Sequence, residues 1–293
     1  MAADVDLIAS YWTVAGDIDV LDDAPMSPWP FEARVAEAAA AGYVGFGLSY
    51  VELLQLESTV GFATMRSVFD DHGITIVELE ALTDWFAGGA AREQSDQVRR
   101  DLLRAAAALG ARHVKVVGTL SADEDDSDDV GPDRMIESFA GLCSDAAEAG
   151  TSVVVEMLPI GNVRTLDAAV RLVQGAGAAN GGVLLDMWHV QRTGTPLASI
   201  AALPAGCLLH VELDDGGPPA PGPAFEDTIR NRLLCGEGQF DLAGFYRATR
   251  AAGYDGAYGI EILSSTFRTG SLTDMARRSF DTATAVIAAA DSP

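Results

Sequence analysis

The chain has 293 residues, 48% of them hydrophobic and 21% charged, enough to bury a large core and too apolar for a disordered polypeptide. Its formal net charge of −24, from 43 Asp and Glu against 19 Lys and Arg, would repel a nucleic-acid backbone or an anionic membrane surface, so neither is expected as a partner. No run approaches the ~18 consecutive apolar residues of a membrane span. The opening MAADVDLIAS lacks the basic start of a secretory signal, so a cytoplasmic protein is expected.

Short apolar, β-branched runs alternate with longer helical stretches about eight times along the chain. The strand-like runs are residues 7–10, 45–49, 74–79, 113–117, 153–158, 182–186, 207–213 and 258–263. Residues 31–41, 92–109, 133–149 and 166–174 have the Ala-, Leu- and Arg-rich pattern of helices, and 272–290 forms the last one. Gly42, Gly73, Gly110 and Gly253 each stand shortly before a strand, as helix-terminating glycines do. Such short connections imply βαβ crossovers and a parallel sheet. Eight units in 293 residues predict a single-domain (β/α)8 TIM barrel over residues 1–293, and no GxGxxG follows the first strand to suggest a doubly wound sheet.

Two segments interrupt the alternation. Residues 121–129, SADEDDSDD, lack the Gly and Glu spacing of a calcium loop and are expected to be a solvated acidic loop. Residues 214–231, Pro- and Gly-rich after the seventh strand, lie where barrel enzymes do chemistry and are expected to form a lid. Cys143, Cys207 and Cys235 are far apart and make no CxxC pair. They are expected to be free structural thiols, with no disulfide framework or zinc finger.

Side chains at the C-terminal ends of barrel strands point into one shared mouth. Strand five, VVVEMLP, ends near Glu156; strand six, GGVLLDMWH, ends at Asp186 with His189 three residues on. Strand seven, CLLHVELDD, puts His210 and Glu212 on one face by its period of two, and strand eight, AYGIEIL, offers Glu261. A single acid at a strand end is more often a cap or a surface partner. Four successive strands ending in acids are different, because converging carboxylates repel one another and are costly to bury uncompensated, which calls for a divalent cation. An oxygen-rich set suits Mg2+ or Mn2+, and a histidine in it would widen the choice to Co2+ or Zn2+.

Lys115, the one lysine of the chain, sits inside the apolar fourth strand, where a buried partner such as Glu78 or Glu80 is as good an account as a catalytic or substrate-binding amine. Trp12, Trp85, Phe86 and Trp188 fall near strand ends, either as walls of a pocket or as core.

VVVEMLP, LLDMWH, HVELDDG, RLLCGEGQFDL and GYDGAYGIEIL together resemble the xylose isomerase-like TIM-barrel superfamily, and LIASYWTVAGD and VELEALTDWF carry the likeness to the N-terminal half. That superfamily includes sugar-phosphate isomerases and epimerases, hydroxypyruvate isomerase, inosose dehydratase, 3-dehydroshikimate dehydratase and endonuclease IV. The resemblance implies metal ligands at Glu156, Asp186, Glu212 and Glu261. In the family, strand seven often reads His-x-His or His-Val-Gln with the second position on the metal. Here that position is Glu212, so the site would stay anionic even with a divalent ion bound. A tightly held hard ion, a protonated Glu, or ligation by His210 in place of Glu212 would each resolve this. The resemblance further implies one divalent ion as cofactor, a sugar- or cyclitol-like substrate faced by Arg232 before the CGEG turn, and a homo-oligomer. From their own positions His189, three residues after Asp186 and equally able to donate to a loop carbonyl, His210, Lys115 and Trp12 are the other candidate substrate contacts.

The leading expectation is an isomerase or epimerase of a sugar, ketose or related hydroxy-carbonyl compound. Glu156 and Glu261 would face each other as base and acid across a metal-stabilised enediolate. A dehydratase of inosose or 3-dehydroshikimate type shares the first proton abstraction and differs in expelling a hydroxyl. A non-catalytic sugar-binding barrel is the reading from another class. An endonuclease would need more histidines than four and a basic face.

Overall fold

A computed structural model describes residues 5–23, 25–119 and 130–291; the acidic 121–129 segment lies outside them. Eight parallel strands close into a barrel in sequence order: β1 (Leu7–Ala9), β2 (Gly45–Ser49), β3 (Ile76–Leu82), β4 (His113–Val116), β5 (Ser152–Glu156), β6 (Gly181–Asp186), β7 (Leu208–Leu213) and β8 (Tyr258–Ile260). Around them lie α1 (Phe31–Ala41), α2 (Tyr50–Thr59), α3 (Phe62–His72), α4 (Gly89–Leu109), α5 (Pro132–Glu148) and α6 (Leu166–Ala176). The second half carries α7 (Met187–Arg192), α8 (Leu197–Ala201), α9 (Ala224–Arg230), α10 (Leu242–Ala251) and α11 (Leu272–Ala290). Among the described residues no helix is long and apolar enough to cross a membrane.

The eight-strand barrel expected from the alternation is therefore present. β8 stops at Ile260, short of the expected 263, because its neighbours end opposite it: Ala9 of β1 and Leu213 of β7 both pair with Ile260. Five of the eleven described helices start under a polar side chain that caps a free amide, as Thr165 does for Ala168 N of α6 and Ser271 for Asp274 N of α11. α1, α3 and α4 exit through Gly42, Gly73 and Gly110 in left-handed conformations.

Register decides which residues face the barrel axis. Glu78 pairs with His113, Glu156 with Leu184, and Asp186 with Glu212, so these side chains share the inner face while intervening Val and Leu residues pack outward on the helices. β7 carries a bulge: Val183 pairs with Leu208 but Leu184 with His210, leaving Leu209 as an extra residue. A Cβ on inward-facing Gly182 would lie 2.2 Å from Leu209 Cγ, so the bulged leucine fills the space that the glycine leaves. The three cysteines are free and buried, as expected.

Candidate active site

At the C-terminal end of the barrel, Glu156 of β5, Asp186 of β6, Glu212 of β7 and Glu261 just past β8 converge, each offering a carboxylate oxygen within 4.8 Å of the others. All four are at most 5% exposed. Glu156 and Glu261 line a cavity of about 220 Å³ whose walls include Trp12, Glu80, His189, Phe225 and Ile229. That is room for a small polyol.

Two cations are built into this ring. Lys115 Nζ lies 2.8 Å from Glu80, 2.7 Å from Glu212 and 2.7 Å from Glu261. Arg232 Nη1 lies 2.5 Å from Asp186, 2.7 Å from Asp214 and 3.0 Å from Glu261. Asp186 has a further task, since its other oxygen accepts from Trp188 N at 2.7 Å and caps α7. His189, on the first turn of α7, brings Nε2 to 3.2 Å from Glu156 Oε1.

The carboxyls are driven apart in acidity. Burial alone would raise Glu156 and Asp186, but Lys115 and His189 outweigh it at Glu156, and Arg232 and His189 at Asp186, so both are held below the usual range. Burial wins at Glu80, which is pushed up to about 8 despite the nearby Lys115 ammonium. Burial and the charge of Glu261 push Glu212 well up, and burial with the charge of Asp186 does the same for Asp214. Lys115 stays firmly protonated, its burial overcome by Glu212, Glu261 and Glu80.

Of the residues singled out in the sequence, Glu156, Glu261, His189, Arg232, Lys115 and Trp12 all line this cavity. Asp186 and Glu212 do not line it; they are fully buried beside Glu156 and Glu261. Lys115 meets Glu80 but not Glu78 among its expected partners, and it bridges two ring acids as well. Arg232 is committed to carboxylates rather than free to meet a ligand.

His210 does not line the mouth; it lies one layer deeper, 3.2 Å from Glu78 Oε2 and 3.8 Å from Glu212 Oε1. Of the four aromatics weighed as walls, Trp12 takes that role. Trp85 and Phe86 are core, edge to face at 4.8 Å, with Trp85 Nε1 donating to Val117 O. Trp188 is buried beneath Arg192 and lines an adjoining cleft. The 214–231 segment starts at the site with Asp214, and its helix α9 supplies Phe225, Thr228 and Ile229 to the wall.

Glu80 as a wall residue and Asp214 as an Arg232 partner were not singled out. Both continue a spacing of two, Glu78–Glu80 on β3 and Glu212–Asp214 after β7, which is the signal that could have found them.

The ring fits a divalent cation. Six carboxyls, those of Glu80, Glu156, Asp186, Glu212, Asp214 and Glu261, face two fixed cations. The Lys115 ammonium approaches Glu212 outside hydrogen-bonding angles, so both Glu212 oxygens are buried without a donor. The four converging donors are all hard oxygens, the set that suits Mg2+ or Mn2+, while Glu156, Asp186 and His189 form a second grouping that brings in an imidazole.

Comparison with known proteins agrees with this fold. The family model for the xylose isomerase-like TIM barrel matches residues 35–284. The 3-dehydroshikimate dehydratase of Pseudomonas aeruginosa is 29% identical over 243 residues, covering 80% of this chain and 36% of that protein. The chain thus spans about a third of the length of this relative. A solved xylose isomerase-like TIM barrel/4-hydroxyphenylpyruvate dioxygenase fusion protein superposes with a TM-score of 0.79 at 21% identity, over 96% of this chain and 42% of its own. The IOLI protein, solved with a bound zinc atom, superposes with a TM-score of 0.82 at 16% identity, over 98% of this chain and all of its own. The likeness to these two structures is one of fold.

Proposed function

The chain belongs to the xylose isomerase-like TIM-barrel family, and from that premise we propose that it is a metal-dependent lyase removing water from a small cyclic hydroxy-ketone of the 3-dehydroshikimate kind. The observation that carries this reading is the convergence of Glu156, Asp186, Glu212 and Glu261 within 4.8 Å. The choice of dehydration rests on the 29% identity to a 3-dehydroshikimate dehydratase.

A divalent ion held by these four carboxylates would supply the positive charge that draws electrons toward a substrate carbonyl. The chain's own residues then divide the proton work. Glu156, held ionised, takes the proton from the carbon beside the carbonyl, and His189 at 3.2 Å steadies its carboxylate. Glu80, whose carboxyl keeps its proton to about pH 8, donates to the leaving hydroxyl, which departs as water. Lys115, at 2.8 Å from Glu80, balances the charge left behind. Trp12 and α9 wall the cavity against bulk water.

Incubation of the manganese-loaded chain with 3-dehydroshikimate tests this. Loss of one water gives an aromatic product with new ultraviolet absorption, and its absence over hours at micromolar enzyme would overturn the dehydratase reading. A second reading, isomerase or epimerase of a ketose, is favoured by Glu156 and Glu261 facing the same cavity from non-neighbouring strands. It predicts solvent deuterium entering a ketose with no ultraviolet product.

A further inference from the structure

Below the mouth, the barrel interior holds a polar cluster that the proposed chemistry does not use. Glu78 of β3, His113 of β4 and His210 of β7 point inward from three strands and are at most 1% exposed. We propose that these three side chains form a second divalent-metal site, of the zinc class, sealed in the barrel one layer beneath the mouth.

Geometry carries the argument. Glu78 Oε2 lies 3.2 Å from His210 Nε2 and 3.5 Å from His113 Nε2. A charge-assisted N–H···O bond would be about 2.7–2.9 Å. The edge of a tetrahedron with zinc–nitrogen and zinc–oxygen bonds of about 2.0–2.1 Å is about 3.3 Å. The 3.5 Å separation is that of a tetrahedral edge and beyond a hydrogen bond, while the 3.2 Å one fits the edge and lies at the long limit of an N–H···O bond. Consistent with this, neither oxygen of Glu78 and neither nitrogen of His113 or His210 has a hydrogen-bond partner, although all are buried. Six buried polar atoms without partners make an expensive core unless something binds them.

One donor atom from each residue lies within 4.8 Å of the other two, and two imidazoles with one carboxylate are a borderline set that suits zinc.

The surroundings leave room for this cluster. A Cβ on Gly47 would come 3.1 Å from Glu78 Oε1, and one on Gly259 would come 3.0 Å from His210 Nε2. The same Gly259 Cβ would lie 2.9 Å from Ser10 Oγ, a buried hydroxyl that also lacks a partner. Charge agrees as well: a dication with one carboxylate leaves a positive centre beneath a mouth in which carboxyls outnumber cations. The inference does not depend on the mouth holding a metal.

The test is to express the full chain in zinc-supplemented medium, purify it without chelator, and measure zinc by elemental mass spectrometry and zinc K-edge absorption. The Glu156→Gln/Asp186→Asn double variant disables both donor groupings of the mouth. It is expected to keep close to one zinc per chain, with the scattering signature of two imidazoles, and to lose it when His113→Gln is added. A folded double variant without zinc, or with zinc that shows no imidazole scattering, would overturn the proposal. Should either variant fail to fold, the single His189→Gln chain decides. Its remaining histidine beyond this cluster is His72, at the end of α3, so imidazole-bound zinc supports the site and zinc bound by oxygen alone rejects it.

Discussion

Replacing Glu80 by glutamine should make the protein more stable at alkaline pH, although it removes a partner of the one buried lysine. The carboxyl of Glu80 is 4% exposed and is pushed from 4.5 up to about 8 in the folded chain. A carboxyl whose folded pKa lies above its unfolded value favours folding fully below the unfolded value. That contribution is lost as pH rises toward the folded one. Over this window the loss reaches about 5 kcal/mol, at about 1.4 kcal/mol per pH unit. Glutamine keeps the shape and an acceptor for Lys115 Nζ at 2.8 Å but does not titrate. With metal removed by chelator, the melting temperature of Glu80→Gln should equal or fall just below that of the wild type at pH 5. It should then overtake the wild type between pH 5 and 8, by about 10 °C if the full difference is realised. Scanning fluorimetry of both chains from pH 5 to 9 reads this, because titrating groups that do not interact with Glu80 cancel in the difference. A difference that stays constant across that range would refute the assignment of a raised acidity constant to Glu80, and with it the role of Glu80 as proton donor.

Glu156→Gln should lower kcat by about 10²–10⁴-fold with little change in melting temperature, measured on whichever substrate the wild type turns over. Dialysis against chelator should abolish turnover and Mn2+ should restore it in the wild type but not in Asp186→Asn, as followed by steady-state assay. Trp12→Ala should raise KM more than it lowers kcat, since this ring walls the cavity and carries no group that can move a proton in the reaction. Gly182→Ala should cost about 1–3 kcal/mol in urea denaturation through overpacking, because its Cβ would meet Leu209 Cγ at 2.2 Å.

Much of the molecule can be read along the chain because its signals are local. Apolar runs separated by helix-exit glycines specify strands, and acids placed at the ends of those runs can be picked out without a structure. What could not be read depends on closure. Lys115 sits on β4, and its partners come from β3, β7 and the end of β8, strands that meet around it when the barrel forms. His210 and Glu212 share a face by alternation, yet two residues along a strand is a rise of about 6.6 Å, which separates the mouth from the layer below. Trp85 follows β3 closely enough to reach the mouth, but its indole N–H turns to Val117 O and its ring to Phe86 and Phe139, where it is more completely buried.

The bulge at Leu209 has a consequence for the traffic of solvent. By placing one half-buried leucine against the bare face of Gly182, it fills space below His210, which is 0% exposed. The opening lined by Trp12 and α9 lies at the other end of the barrel, so substitutions on that rim should govern the rate at which solvent exchanges with the mouth.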